Sequence, residues 1–292
     1  MIYTTLDSDL KIREQCQRWL ADGKRLAVDF EGEFNLHIYG EHLCLVQIFD
    51  GDGYYIIDPR SGRVSPDGLR TFFSLPNEKV WFDIQGDASL VYKAYGLKIS
   101  NVFDVRVLAL ALGYTGNLLG LEKEYLGVEL EINKKKNQQA NWLKRPIDME
   151  LMEYALLDVK YLFLLKDVLV PVVTKEGLWD KAMEMMGRAT EVKEPRPGWM
   201  NVANWKYLNR REKVYVKNIY LARDQIARRF NVPAARVMDK HRIEELAKNP
   251  PATEAELRSR LSGEAPRFRT LLGERVWKAL LDARKESSEA KS

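Results

Sequence analysis

Four acidic residues and one tyrosine are the side chains of this sequence that are best suited to chemistry. Asp29 and Glu31 stand two residues apart in an apolar segment typical of a β-strand, where residues two apart point to the same face. Asp87 follows a later apolar segment, and Asp158 comes one helical turn after Tyr154 in a predicted helix. Carboxylates without a matching cluster of histidines or cysteines favour Mg²⁺ or Mn²⁺ over zinc. The pattern predicts a metal-dependent enzyme that cleaves phosphodiester bonds.

Hydrolysis of a phosphodiester needs an activated water molecule and a way to spread the charge of the attacking and leaving oxygens. Two divalent cations held about 4 Å apart do both. Four carboxylates suit such a pair because their negative charge offsets the cations, and without the cations their mutual repulsion should raise some of their pKa values. We expect Asp29, Glu31 and Asp158 to bind the first ion. Asp29 would bridge to the second, with Asp87 acting directly or through water.

Each segment also has an ordinary structural interpretation. On their own, Asp29 and Glu31 would be typical of the solvent-facing side of a strand, and Asp87 would suit the cap of the helix that follows. Asp83 lies nearer the same predicted strand and is the alternative to Asp87. Asp104 precedes an apolar helix, so we predict that it caps this helix rather than binding metal. The joint occurrence of the segments favours the metal site.

The order and spacing of these segments are similar to those of the DEDD superfamily of 3′→5′ exonucleases, and within it to the ribonuclease D branch. The first motif of the family, Asp-x-Glu on a strand, is matched by Asp29 and Glu31. The second, an Asp after a later strand, is matched by Asp87, and the third, Tyr-x-x-x-Asp on a helix, by Tyr154 and Asp158. This resemblance implies a ribonuclease H-like fold, with a mixed sheet flanked by helices. It also implies that the Tyr154 hydroxyl orients the attacking water.

The sequence departs from the family pattern beside two of the motifs. Family members often carry a small residue between the first Asp and Glu, where this chain has Phe30. Many ribonuclease D-like sequences have a histidine near the start of the second motif, where Phe82 and Asp83 stand here. These positions neighbour the scissile nucleotide, so the departures bear on substrate preference more than on metal binding.

The C-terminal part of the chain differs in charge and in predicted structure. Residues 205–292 contain 21 basic and 12 acidic residues, whereas the net charge of the whole chain is +4, so this part is suited to phosphate backbones. Its predicted helices resemble the HRDC domain (helicase and ribonuclease D C-terminal) in Val232–Val237 and in Asn-Pro-Pro-Ala-Thr before Glu256. We predict an exonuclease domain over residues 1–190, a linker over 191–204, a small all-α HRDC-like domain over 205–285 and a disordered tail over 286–292.

Basic and aromatic residues in two regions are candidates for contacts with nucleic acid. Lys135, Trp142 and Arg145 lie in a stretch that resembles the Lys-rich, Trp-containing segment found in the family just before the third motif. The two cations would contact phosphates and the indole would stack on a base, the alternative being a packed Trp beside a solvated loop. In the first long helix of the HRDC-like domain the candidates are Arg210, Arg211 and Lys217.

Composition places limits on the class of protein. Hydrophobic residues make up 46% and charged residues 30% of the chain, which is ordinary for a globular protein that can bury a core. Cys16 and Cys44 form no disulfide framework and have no metal-type spacing. The start of the sequence lacks a signal-peptide pattern, and charged residues interrupt each long apolar run. We therefore predict a cytoplasmic protein without a membrane partner.

The ribonuclease D resemblance implies a function. The leading prediction is a 3′→5′ exoribonuclease that uses two Mg²⁺ or Mn²⁺ ions, trims RNA with a free 3′ end and releases nucleoside 5′-monophosphates. Structured RNA such as tRNA precursors is the implied substrate. One alternative is the same chemistry on DNA or on very short oligonucleotides, and another is a nucleic-acid-binding scaffold whose site is silent.

Overall fold

The computed structural model describes residues 1–129, 140–189, 191–192 and 196–289. The chain divides into two compact units. The first unit consists of Met1–Glu33 and Glu41–Lys193, and the second of Phe34–Gly40 and Glu194–Ser292. The first unit contains a mixed sheet with flanking helices, and the C-terminal part of the second is helical, which confirms the predicted fold class.

A six-stranded sheet forms the centre of the first unit. Its strands are β1 (Tyr3–Leu6), β2 (Leu26–Phe34), β3 (Glu41–Phe49), β4 (Tyr54–Ile57), β5 (Lys79–Trp81) and β6 (Val102–Asp104). Their order in the sheet is β1-β4-β3-β2-β5-β6. The pairs β1–β4, β2–β5 and β5–β6 are parallel, and β3–β4 is antiparallel. The strand β2 thus lies inside the sheet, between β3 and β5.

Helices cover both faces of this sheet. They are α1 (Asp9–Ala21), α2 (Pro66–Phe73), α3 (Ile84–Tyr95), α4 (Val105–Ala111), α5 (Leu118–Leu126), α6 (Met149–Lys160), α7 (Leu162–Lys175) and α8 (Trp179–Ala189). One apolar cluster joins α1, α2 and α3 to one face, and another joins α4, α5, α7 and α8 to the other. A third cluster packs α6 against β3 and β4. The sequence predicts one helix over residues 148–170, but the structure has two, α6 and α7, which are separated at Tyr161.

The second unit has its own apolar core. Its helices are α9 (Arg210–Phe230), α10 (Ala234–Val237), α11 (Lys240–Lys248), α12 (Glu254–Arg260) and α13 (Pro266–Glu289). The long helices α9 and α13 pack together, and they bury Ile219 and Val276 in a shared cluster. The sequence predicts one helix over residues 234–247, but the structure interrupts it after Val237. Asp239 then caps α11 by accepting a hydrogen bond from the His241 amide at 2.8 Å. Within the described part of the chain, no helix is both long and apolar enough to cross a membrane.

Candidate active site

The strand β2 directs two carboxylates to one face of the sheet. Val28 and Phe30 lie in the apolar cluster with α1, α2 and α3, whereas Ala27 lies in the cluster on the opposite face. Because side chains alternate along a strand, Asp29 and Glu31 share the face of Ala27. The burial of their apolar neighbours therefore sets the direction of both carboxylates.

The helix α6 brings the third motif to the same place. Oxygen atoms of Asp29, Glu31 and Asp158 all lie within 4.8 Å of one another. Tyr154 lies one turn before Asp158, is 5% exposed and forms a side-chain hydrogen bond with it. Burial, followed by the charges of Asp158, Glu31 and Asp29, raises the pKa of Tyr154 above its ordinary value. The phenol is therefore protonated at neutral pH and acts as a hydrogen-bond donor.

A cleft of about 510 Å³ joins the second motif to this cluster, and its walls include all five predicted catalytic residues. The indole N–H of Trp81 donates a hydrogen bond to the Asp87 carboxylate at 2.8 Å. Burial raises the pKa of Asp87, and the negative charges of Asp83 and Asp104 raise it further. Burial is the main cause of this raised pKa, and the two acids that add to it are not members of the predicted metal site, so the mutual repulsion of the four site carboxylates stays a prediction.

The donor atoms of the cluster suit a hard divalent cation. Asp29, Glu31 and Asp158 offer carboxylate oxygens alone, and these oxygens are close enough together to bind one ion at about 2.0–2.6 Å each. Neighbouring anions at this separation repel one another unless a cation lies between them. The arrangement therefore fits the metal site that was predicted from the sequence.

The predicted role of Asp104 as a helix cap is confirmed. Its carboxylate accepts a hydrogen bond from the Arg106 amide at 2.9 Å at the start of α4. It also accepts hydrogen bonds from the amides of Asp83 at 2.9 Å and of Ile84 at 3.1 Å, at the start of α3. Asp83 itself forms an ion pair with Arg106. Because Arg106 occupies Asp83, the structure favours Asp87 as the acid of the second motif.

The structure corrects the role predicted for the Trp-containing stretch before α6. Trp142 is 1% exposed, and its ring lies against Tyr154 with 6.5 Å between ring centroids. Arg145 donates two hydrogen bonds to the Asp58 carboxylate, each 2.7 Å long, and others to backbone carbonyls. A buried indole has no face on which a base can stack, so the packed alternative is correct and Arg145 fixes the loop. Lys135, the third candidate of this stretch, lies outside the described residues.

We expect Trp142→Ala to lower the free energy of unfolding by about 3–5 kcal/mol, the usual cost of truncating a buried aromatic side chain. Trp142→Phe, which keeps an aromatic ring in the site, should recover most of that stability. Urea unfolding followed by circular dichroism measures both effects. The result that would contradict this is a Trp142→Ala protein that unfolds at the same urea concentration as the unmodified chain but binds nucleic acid more weakly. It would show that the indole stacks on a base.

The structure adds cleft residues that the sequence analysis did not predict. These are Arg106, Thr115, Gly116, Asn117 and Leu118, and the walls also include Phe82, which the sequence motifs place beside the scissile nucleotide. Among the described residues that line the cleft, Arg106 is the only cation. The signal in the sequence was its position two residues after the helix-capping Asp104, which places it in the first turn of α4.

The three basic candidates of the second unit lie on α9. Arg210, Arg211 and Lys217 all have exposed side chains. Arg210 and Arg211 begin the helix, and the guanidinium of Arg211 lies 5.5 Å from the ring centroid of Tyr215. Their contact with nucleic acid stays a prediction.

A carboxylate cluster in a cleft beside a mixed sheet is the arrangement of a metal-dependent phosphoryl-transfer enzyme. Comparison with known families identifies the class further. Residues 3–174 match the model of the 3′-5′ exonuclease family, and residues 212–280 match that of the HRDC domain. The chain belongs to the 3′-5′ exonuclease family and carries an HRDC domain, as the sequence motifs predict.

Individual relatives support this assignment. The chain is 26% identical over 268 residues to a ribonuclease D of Sphingobium indicum, covering 88% of this chain and 66% of the relative. It is 30% identical over 234 residues to a ribonuclease D of Desulfotalea psychrophila, covering 75% of this chain and 60% of the relative. It shares its fold with Escherichia coli RNase D, an exoribonuclease involved in structured RNA processing, with a TM-score of 0.76 at 23% identity, covering 97% of this chain and 76% of that one. The chain spans about two thirds of the length of the curated relatives it matches.

Proposed function

We propose that this protein is a 3′→5′ exoribonuclease that hydrolyses the last phosphodiester bond of RNA and releases nucleoside 5′-monophosphates. The observation that carries the proposal is the convergence of Asp29, Glu31, Tyr154 and Asp158, from a strand and a distant helix, on one cleft. The similarity to curated ribonuclease D proteins supports RNA as the substrate.

The cofactors in this proposal are two divalent cations, Mg²⁺ or Mn²⁺. Asp29, Glu31 and Asp158 would hold one of them, and Asp29 and Asp87 the other. When bound, the cations supply an activated water and offset the charge on the phosphate oxygens. The oxygen-only donor set and the position of Asp87 in the same cleft support this assignment.

Tyr154 has a positioning role in this reaction. A phenol is protonated at neutral pH and burial raises the pKa of Tyr154 further, so its hydroxyl is a poor base. Its one O–H donates a hydrogen bond to Asp158, and the phenolic oxygen accepts one from the attacking water, which orients the water toward the phosphorus atom. The packing of Trp142 against the phenol ring limits the movement of the hydroxyl.

Structured RNA with a free 3′ end, such as a tRNA precursor, is the target that we propose, and the cytoplasm is the location. The fold neighbour from E. coli is described as an enzyme of structured RNA processing. Cys16 and Cys44 are both buried and unpaired, which supports a reducing compartment.

The test offers 5′-labelled RNA, DNA of the same sequence and a dinucleotide in parallel, with Mg²⁺, Mn²⁺ or EDTA. We expect stepwise shortening of the RNA from its 3′ end with either cation, release of nucleoside 5′-monophosphates, and no reaction in EDTA. An RNA that carries a 3′-phosphate is the control for recognition of the free end. Faster turnover of DNA or of the dinucleotide would favour the alternative substrates, and binding without shortening would identify a scaffold.

The second unit would add affinity for longer RNA through its basic residues. Replacing Arg210, Arg211 and Lys217 together by Ser should weaken RNA binding and reduce its salt dependence, with the logarithmic slope falling by about 2 if each residue contacts one phosphate. Fluorescence anisotropy at several salt concentrations measures both. Hydrolysis of a dinucleotide, which has one phosphodiester bond, should not change. An unaltered salt slope would remove these residues from the RNA-binding surface.

A further inference from the structure

An exposed ion pair lies in the wall of the cleft. The side chains of Arg106 and Asp83 are 34% and 49% exposed, and the guanidinium lies 6.0 Å from the ring centroid of Phe82. The other charged residues that line this cleft in the described structure are acidic, namely Asp29, Glu31, Asp87 and Asp158. An acidic cleft repels a polyanion, so a cation in its wall has a large effect on where a nucleic-acid strand can lie.

The starts of two helices hold this pair in place. The buried carboxylate of Asp104 accepts hydrogen bonds from the amides of Asp83 and Ile84 at the start of α3, and from the amide of Arg106 at the start of α4. One buried anion thus fixes both backbone segments. A guanidinium that is already positioned loses little conformational freedom when it binds an anion.

We propose that Arg106 binds a non-scissile backbone phosphate near the 3′ end of the substrate strand, and that Asp83 holds the guanidinium in place until the phosphate displaces it. This rests on the exonuclease function proposed above. A guanidinium forms paired hydrogen bonds with phosphate as readily as with carboxylate. An exposed ion pair contributes little to stability, so a phosphate can replace Asp83 as the partner of the guanidinium at small cost.

The position of the pair favours a phosphate beside the scissile bond. Asp83 lies at the N-terminal cap of α3 and Asp87 in the first turn of the same helix, so the pair lies on the side of the cleft that carries the second acidic motif. Neither residue of the pair belongs to the group of Asp29, Glu31 and Asp158, where the scissile phosphate would react. In this proposal the contacted phosphate is the second or third from the 3′ end.

The test uses the charge of each phosphate. Arg106→Gln should lower kcat/KM for RNA about 10- to 100-fold, mostly through KM, because a charge-assisted hydrogen bond to substrate is lost. RNA with an uncharged methylphosphonate at the second or third linkage from the 3′ end is the probe. At the contacted linkage, the unmodified protein and Arg106→Gln should cleave the modified RNA at equal rates. If Arg106→Gln lowered kcat/KM by the same factor on the charged and the uncharged RNA, the proposal would be overturned.

Two variants separate substrate binding from structural support. Arg25 is the matched control, because it forms an exposed pair with Asp167, lies over the Phe163 ring at 4.4 Å and is not in the wall of the cleft. Arg25→Gln should leave KM unchanged. Asp83→Asn, which frees Arg106, should lower KM. If Asp83→Asn raised KM as much as Arg106→Gln, the pair would be structural and the proposal would fail.

A binding measurement keeps this proposal separate from the proposed function. Fluorescence anisotropy in EDTA compares RNA with and without the methylphosphonate, whether or not the protein hydrolyses RNA. The uncharged linkage should weaken binding about tenfold for the unmodified protein and leave binding by Arg106→Gln unchanged. An equal loss of binding for both proteins would overturn the role of Arg106, even if RNA hydrolysis is confirmed.

Discussion

Asp29→Asn should slow RNA hydrolysis at least about 1,000-fold, which corresponds to about 4 kcal/mol of lost transition-state stabilisation. Asp29 lies in the group of three carboxylates and is the residue proposed to serve both cations. The substitution keeps the shape of the side chain but removes its charge, and a neutral amide oxygen is a weaker ligand for a divalent ion. Single-turnover kinetics with saturating protein measures the chemical step without a contribution from RNA binding.

The same experiment needs evidence that the variant folds and binds. Circular dichroism and RNA affinity of Asp29→Asn should match those of the unmodified protein, because the replaced group lies in an open cleft and not in the apolar core. Asp67→Asn is the control, since Asp67 forms an exposed pair with Arg70 and does not line the cleft. An Asp29→Asn protein that kept a tenth of the hydrolysis rate would exclude Asp29 as the shared ligand.

The second large effect is expected at the acid of the second motif. Asp87→Asn should slow hydrolysis about 100- to 1,000-fold and raise the Mg²⁺ concentration needed for half-maximal rate. Asp87 accepts a hydrogen bond from Trp81 inside the cleft, so its carboxylate is held in one orientation. Asp83→Asn should retain hydrolysis, because Arg106 rather than a cation is its partner. Measuring the hydrolysis rate of each variant at several Mg²⁺ concentrations distinguishes the two acids. A large loss of rate for Asp83→Asn with none for Asp87→Asn would make Asp83 the ligand.

Local periodicity explains why the principal site residues were predictable. Asp29 and Glu31 alternate with Val28 and Phe30, so four consecutive residues record which side of the strand is apolar. Tyr154 is one helical turn from its partner acid in α6, which is also encoded within five residues. Such short patterns are visible in the sequence because the spacing of apolar residues within one helix or strand indicates which face is buried.

The pair of Asp83 and Arg106 was not predictable in this way. The two residues are 23 positions apart and meet because β5 and β6 pair in parallel. Each of these strands has three residues, which is too short to show a period. A contact that depends on the pairing of short strands can be predicted only when the fold is already known.

Trp142 shows the same limit from another direction. Its neighbours Asn141, Lys144 and Arg145 are polar, which indicates an exposed loop. The indole is nevertheless buried in an apolar cluster with Leu45, Ile56 and Tyr154, and Arg145 beside it pairs with Asp58, 87 residues earlier. Residues that are distant in the sequence thus bury a side chain whose polar neighbours predict an exposed loop.

The observed secondary structure differs from the predicted one at β1 and at the end of α7, and burial explains both differences. The strand β1 was not predicted, because Leu6 is its one buried residue and its apolar pattern is therefore weak. The predicted helix over residues 148–170 stops before Pro171, but α7 continues to Lys175 with the proline inside it. Leu169 and Val173 are buried on either side, so tertiary packing offsets the hydrogen bond that proline cannot form.

The close approach of Asp29, Glu31 and Asp158 also affects how well the chain tolerates heat. Three like charges at this separation oppose the compact state, so the ion-free protein should melt at a lower temperature than one in which a single charge has been removed. A cation that recognises the folded chain alone adds stability by mass action, about 1.4 kcal/mol for each tenfold excess over its dissociation constant. A bound divalent cation would then stabilise the fold of this protein as well as take part in the proposed reaction.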